Sequence, residues 1–337
     1  MFNKKLLAAT VAMSLTATAI GATNMDIIKK DNNPLGNEPY AEVAISANGS
    51  CDYQILINDV PIYADEGAIN TTLPVNPYMI NGSNNLAVTV QNKDESCKVS
   101  ATLQVRKSDD FNSTAKLNTV VFDGNPSDIT EKDTDGSTPA EKLAFADGKF
   151  DKSDDGYITV SKAKLDSGNV YYGYNYDNQK RELMAGVKVS QDIDLPIDLP
   201  KWAWLDGETI ANDQATKDAL IAIYKEIWAD IQNKDWDKLN KLFASRDAER
   251  AKAYYTGGSN GTTADSIREK IEDAGSVFVP KEKTIPKIKL NIFGKGKLAT
   301  MTSWNNGELL SINKKEGGSS KYGVTFAKIN GKFVIVG

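Results

Sequence analysis

Histidine is absent from this 337-residue chain. That single gap removes Ser–His–Asp and Cys–His nucleophile sets, the common zinc sites and most general-base designs. Only carboxylates, lysine and tyrosine remain for acid–base work, and no pair of them stands in a recognisable catalytic spacing. Cysteine occurs twice, as Cys51 and Cys97. With no histidine to activate a thiol, a nucleophilic role is disfavoured. Positive charge is also in short supply, with 40 basic against 45 acidic residues. A nucleic-acid partner would need a basic footprint, so none is expected. Long apolar runs are missing too. The one hydrophobic stretch, Leu6 to Leu15, is shorter than the about 20 residues that a membrane-spanning helix requires.

That stretch has the form of a secretory signal. Lys4 and Lys5 precede it, and Ala17-Thr-Ala19 and Ala19-Ile-Gly21 both fit the small-x-small cleavage rule. Residues 1–21 are therefore expected to be removed. No cysteine follows the apolar stretch closely, so no lipid anchor is expected. Loss of Lys4 and Lys5 leaves 38 basic against 45 acidic groups, a net charge of −7. The expected location is the periplasm or the medium, with no membrane association after cleavage. In an oxidising compartment the two cysteines are expected to pair. A Cys51–Cys97 bond closes a loop of about 45 residues, worth about 4 kcal/mol in the chain-entropy description.

Residues 22–40 are polar, with Asn32-Asn-Pro-Leu-Gly, and are expected to form a flexible leader. From Ala41 the pattern alternates with period two: Val43 and Ile45; Tyr53, Ile55 and Ile57; Leu86, Val88 and Val90; Val99, Ala101, Leu103 and Val105. Asn48-Gly, Asn58-Asp-Val-Pro and Asn81-Gly-Ser-Asn-Asn mark turns between these strands. The segment Met79-Ile-Asn-Gly-Ser-Asn-Asn-Leu-Ala-Val-Thr-Val resembles the strand entry of Ig-like and jelly-roll β-sandwiches, over about a dozen residues. Strand candidates continue to residue 195. Residues 41–195 are thus expected to form one disulfide-stapled β-sandwich, with two β subdomains, 41–107 and 108–195, as the alternative. Leu195-Pro-Ile-Asp-Leu-Pro200 excludes a helix and marks a linker at 196–201.

A long amphipathic helix follows. Leu220, Ile223, Tyr224, Ile227, Trp228 and Ile231 form one apolar stripe at helical period. Asn212 or Asp213 can cap it, and a break at Asn233-Lys-Asp precedes a second set, Trp236, Leu239, Leu242 and Phe243. A further helix is expected around Ala251, Tyr254 and Tyr255, ending at Gly257-Gly258. Thr262 with Asp265 has capping-box spacing for another short helix. Alternating strands with Gly294-Lys-Gly, Asn306-Gly307 and Asn330-Gly331 turns complete the chain. The order of helix, Asn-Lys-Asp-Trp-Asp break, helices and antiparallel strands over 202–337 resembles the NTF2-like α+β cone. The resemblance implies helices filling the concave side of a bent sheet. Enzymes of that family use Asp–His or Asp–Tyr–His sets, which this chain cannot supply.

The expected fold class is therefore α+β, a β-sandwich followed by an NTF2-like domain. Aromatics at Tyr224, Trp228, Tyr254, Tyr255 and Trp304 could line the cone's concavity, although aromatics at helical spacing are more often core. Asp151, Ser153, Asp155 and Gly156 match early positions of an EF-hand loop, but Lys162 stands where the bidentate Glu belongs. An acidic hairpin turn is the plainer reading, and calcium on Asp151, Ser153 and Asp155 the alternative. Tyr172, Tyr174 and Tyr176 share a strand face, suited to packing or to a sugar or peptide. Gly257-Gly-Ser-Asn-Gly-Thr-Thr lacks the Lys of a P-loop and is expected to be a loop with a helix cap. No cofactor is implied. The reading reached is a non-catalytic periplasmic binding protein for a protein or small ligand. One alternative is an immunity-type protein that neutralises a toxin enzyme. The other is a small-ligand binder, or a weak carboxylate/Tyr enzyme, using the NTF2-like pocket.

Overall fold

The computed structural model describes residues 38–124, 130–146, 149–175, 180–257, 261–273, 276–303, 307–314 and 317–337. The expected signal sequence, most of the leader and Trp304 lie outside the described residues. Ten strands come first: β1 (Pro39–Ile57), β2 (Val60–Glu66), β3 (Ile69–Pro74), β4 (Gly82–Lys107), β5 (Asp110–Gly124), β6 (Glu141–Ala146), β7 (Lys149–Lys152), β8 (Ile158–Val160), β9 (Lys164–Asn175) and β10 (Lys180–Leu195). Three helices follow, α1 (Gln214–Asn233), α2 (Trp236–Tyr254) and α3 (Thr263–Glu272). The last strands are β11 (Ser276–Phe278), β12 (Lys289–Phe293), β13 (Leu298–Thr302), β14 (Leu310–Lys314), β15 (Ser319–Tyr322), β16 (Thr325–Ile329) and β17 (Lys332–Ile335). All the strand pairings among the described residues are antiparallel, and the fold is α+β.

β1 and β4 are long because each serves twice. The register of their pairing shifts between Gly49 and Cys51. Before the shift, residues 39–49 of β1 pair with residues 97–107 of β4, flanked by β3 and β5. After it, residues 51–57 pair with residues 86–92, flanked by β2 and β10. A bulge of this kind bends a strand and raises its local twist. Val43 and Ile45 from one stretch, and Tyr53, Ile55 and Ile57 from the other, are all at most 1% exposed and share one core with Val88, Val90, Ala101 and Leu103. The arrangement is sandwich-like.

Both cysteines fall at this bend. Cys97 is 2% exposed, and its backbone partner on β1 is Gly49, two positions before Cys51. No described cysteine is free. The Cys51 side chain lies outside the described residues.

The segment expected as a linker is packed rather than free. Ile197 and Leu199 belong to the β core. Beyond it, the α1 stripe buries Leu220, Tyr224, Ile227, Trp228 and Ile231 as the sequence predicts, with Ile221 more buried than Ile223. The Asp213 carboxylate accepts the Thr216 N–H at 2.8 Å and caps the helix. Lys234 adopts a left-handed conformation (φ 57°) and Asp235 caps α2 through the Lys238 N–H, so the polar break is a tight turn between two helices. α2 then runs unbroken through Tyr254. The separate helix expected at Ala251–Tyr255 is its last turn, because Ala244-Ser-Arg-Asp-Ala-Glu-Arg contains no helix breaker. The strand orders β12-β13-β16-β17 and β11-β14-β15 cover the apolar faces of the helices.

A third cluster joins the two halves. Val60 of β2 meets Trp202, Trp204, Ala253, Leu298, Ala327 and Val336. The Asn58-Asp59 turn, with both residues at positive φ as a two-residue hairpin demands, receives the Gly294 N–H on the Asp59 carbonyl at 3.1 Å. Among the described residues no helix is long and apolar enough to cross a membrane.

Candidate functional site

α2 lies against the β half through the 3-10 turn Asn76–Tyr78. Its C-terminal turns present Arg250 and Tyr254 to two adjoining cavities, and Arg246 to the smaller of them. The smaller, about 160 Å³, sits between Tyr78, Trp204, Arg246 and Val336. The larger, about 350 Å³, opens between Asp247, Arg250, Thr256, Thr262 and Ser266. Arg250 and Tyr254 border both.

Asp247 borders the larger cavity and Glu249 the smaller, beside the two arginines. Arg246 Nη1 donates to Thr263 Oγ1 at 3.1 Å, while its Nε is buried with no acceptor. Burial, and next the neighbouring Arg250, push the Arg246 guanidinium below its ordinary pKa. Neither arginine makes a salt bridge or Arg250 a hydrogen bond among the described residues. The acids of the same helix accept hydrogen bonds, and Asp247 also acts electrostatically on Arg246. Asp247 accepts the Thr263 N–H at 3.0 Å and its hydroxyl at 2.5 Å. Glu249, 6% exposed, accepts the Ala203 N–H at 2.9 Å and Lys252 Nζ at 2.8 Å.

The tyrosines are neutral donors. Burial first, then Tyr78 and Tyr40, push Tyr254 up to about 12, and its ring lies 6.1 Å from that of Tyr40. Tyr255 is raised by burial and by Glu38. Its hydroxyl donates to the Pro39 carbonyl at 2.8 Å, so it latches α2 to β1 and does not face a ligand. Buried Asn76 supports that contact, accepting the Ala41 N–H at 2.5 Å and donating to the Pro39 carbonyl at 2.9 Å.

Of the described aromatic residues expected around a concavity, Tyr224 and Trp228 pack together, with ring centroids 6.0 Å apart. Tyr224 and Trp228 are 0% and 1% exposed within the core of the C-terminal half. Trp228 Nε1 donates to the Leu309 carbonyl at 3.2 Å, and the Tyr224 ring packs edge-on against Phe326 at 5.7 Å. Tyr254 is the expected residue that reaches the cavities.

Comparison with known proteins returns no match. No family model, curated protein or solved structure matches the chain. Its chemistry must be read from its own side chains.

The acidic hairpin is turned inward on itself. Asp151 Oδ1 accepts the Lys152 N–H at 2.7 Å and Ser153 Oγ the Asp155 N–H at 3.2 Å. A Cβ at Gly156 would collide with the Leu143 backbone, so glycine there serves strand packing. No described group of three or more acids and cysteines is arranged to hold a metal ion. Tyr172 gives its carbonyl to Gln54 Nε2 at 2.8 Å, and the side chains of Tyr174 and Tyr176 lie outside the described residues.

Arg246 and Arg250 escape sequence reading. Their helix also carries Asp247 and Glu249, and nothing local tells which of these charges border a cavity. Chemically, the cleft offers cationic forks and protonated hydroxyls, suited to holding an acceptor-rich ligand.

Proposed function

We propose that this is an exported, non-catalytic binding protein whose ligand site is the cleft between a β-sandwich and an NTF2-like α+β domain. The observation that carries the reading is Arg246, a half-buried guanidinium that borders the cavity between the two halves with no salt bridge among the described residues and its Nε without an acceptor. Desolvating a charge without a counter-ion costs free energy, and such costs concentrate at functional sites. The absence of histidine supports binding over turnover. So does the state of Tyr254, which is held protonated and unable to serve as a base near neutral pH.

The test uses mature protein from periplasmic extract, with mass measurement to establish cleavage near Gly21. Bound small molecules are released and identified, and a hydrolase panel is run in parallel. A ligand recovered from wild type and lost from Arg250→Ala supports the reading. Turnover that depends on cleft residues overturns it. Capture of a protein partner that is insensitive to Arg250→Ala favours the immunity-type alternative.

A further inference from the structure

Beyond the ligand reading, we propose that this chain self-associates as a two-fold dimer in which the Phe111 tip of each copy enters the smaller cavity of the other. The dimer covers the cleft, so the inference stands apart from the ligand reading and is tested separately. The knob is the turn between β4 and β5. Phe111 is 73% exposed, the most exposed large apolar side chain among the described residues. It is nonetheless held. Its ring lies 4.0 Å from the guanidinium carbon of Arg106, which also meets the Tyr40 ring at 4.1 Å. Arg106, 4% exposed, donates to the carbonyls of Lys107 at 3.0 Å and Ser108 at 2.8 Å. The Thr114 hydroxyl donates to the Phe111 carbonyl at 2.7 Å, and the Ser113 hydroxyl to the Asp110 carbonyl at 2.6 Å. Shielding Arg106 uses only part of the ring. A positioned aromatic side chain loses little freedom when a partner buries it, which makes it a strong anchor.

The hole matches the knob in size and chemistry. The smaller cavity, about 160 Å³, lies between Tyr78, Trp204, Leu298 and Val336. An apolar cavity of about 150 Å³ accepts a benzene ring, so a phenyl group fits this one. The chain's own Phe111 is held against Arg106 and does not border the cavity. Only a second copy can supply the ring.

Knob and hole are also neighbours. Arg106 contacts Phe111 and Tyr40, and the Tyr40 ring lies 6.1 Å from that of Tyr254, which borders the cavity. A two-fold axis between two such features turns them into a closed, self-complementary interface. Charge fixes the orientation. Asp109 at the tip and Arg250 at the cavity are both exposed, and neither makes a salt bridge among the described residues. Insertion brings Asp109 of one copy towards Arg250 of the other. Lys107, exposed as well, offsets part of the tip's negative charge, so the ring and not the net field carries the contact. Much of each contact is polar turn, and the dimer is accordingly weak and reversible.

The experiment follows the mass of the full-length mature protein by sedimentation velocity and light scattering across micromolar concentrations. A reversible monomer–dimer equilibrium is expected. Phe111→Ala should weaken it by about tenfold or more, with the fold retained because the ring is largely in solvent. Arg250→Glu should weaken it as well, and adding Asp109→Arg to that variant should restore it. A protein that stays monomeric throughout overturns the dimer. Dimerisation unchanged in Phe111→Ala overturns the knob, and growth beyond the dimer overturns the two-fold arrangement. Failure of the double reversal to restore what Arg250→Glu removes overturns the pairing of Asp109 with Arg250. Ligand recovery from extract decides the ligand reading independently of all four results.

Discussion

Trp202 donates its indole N–H to the main-chain carbonyl of Met79 at 2.5 Å, across 123 residues of sequence. Trp204 does the same to Pro77 at 3.0 Å. Together they fasten the start of the C-terminal half to the turn that also walls the arginine cleft. The cleft's geometry therefore depends on both halves.

Trp202→Phe leaves the Met79 carbonyl buried without its donor, and should cost about 1–3 kcal/mol. Trp202→Ala should cost about 3–5 kcal/mol, since the side chain is 1% exposed. Denaturant unfolding measures both. A fragment from Lys201 onward should still unfold cooperatively around the α1 core, with red-shifted tryptophan emission from the uncovered Trp202 and Trp204. Emission unchanged from the full chain would show that these rings do not need the β half to bury them.

Trp228→Ala should also cost about 3–5 kcal/mol, because the residue is core at 1% exposure and bonds the Leu309 carbonyl. A near-neutral result in urea unfolding would contradict the packed concavity.

Asp230, 6% exposed with Oδ2 unpaired, has its carboxyl pKa raised by burial, partly offset by Lys238. A folded-state pKa above the unfolded value means that the native state binds the proton more tightly. Stability is then lost as pH climbs from the ordinary Asp range, about 3.9, through the raised value. Asp230→Asn should remove that loss. Its stability gain should be full at neutral pH and fade as pH falls towards about 4. A gain that persists unchanged at acid pH would assign the effect to packing instead.

Alkylation of unreduced mature protein followed by mass measurement should find no reactive thiol. Cys97→Ser should cost about 4 kcal/mol if the Cys51 bond forms. Two labelled cysteines would rule the bond out.

Local patterns carried much of this architecture. The α1 stripe was readable because buried positions recur at helical period, and the Lys234 break because a left-handed residue followed by a capping Asp leaves a polar mark. The Asn58-Asp59 and Asn330-Gly331 turns were legible because few residues tolerate positive φ. Other features leave no local trace. The alternation of β1 continues across Gly49, and nothing in it tells that the strand changes neighbours. The prolines of 195–200 announce extended chain, but not that Ile197 and Leu199 are covered. The cleft was hidden for a different reason. Which of the charges at 246–250 border a cavity is a tertiary fact. Tyr254 and Tyr255 are adjacent in sequence and similar in chemistry, yet one borders the cavities while the other latches β1.

That latch sets a clock. The Tyr255 hydroxyl and the Pro39 carbonyl are 216 residues apart, and ribosomes add about 5–20 residues per second. The first strand thus waits some tens of seconds at the slow end, and about ten at the fast end, before its final partner has been made. During that interval the Pro39 end of β1 is a strand terminus without its cover, open to mispairing. A chain built this way gains from being kept unfolded until it is complete, which is the condition under which a protein crosses a membrane as an extended thread.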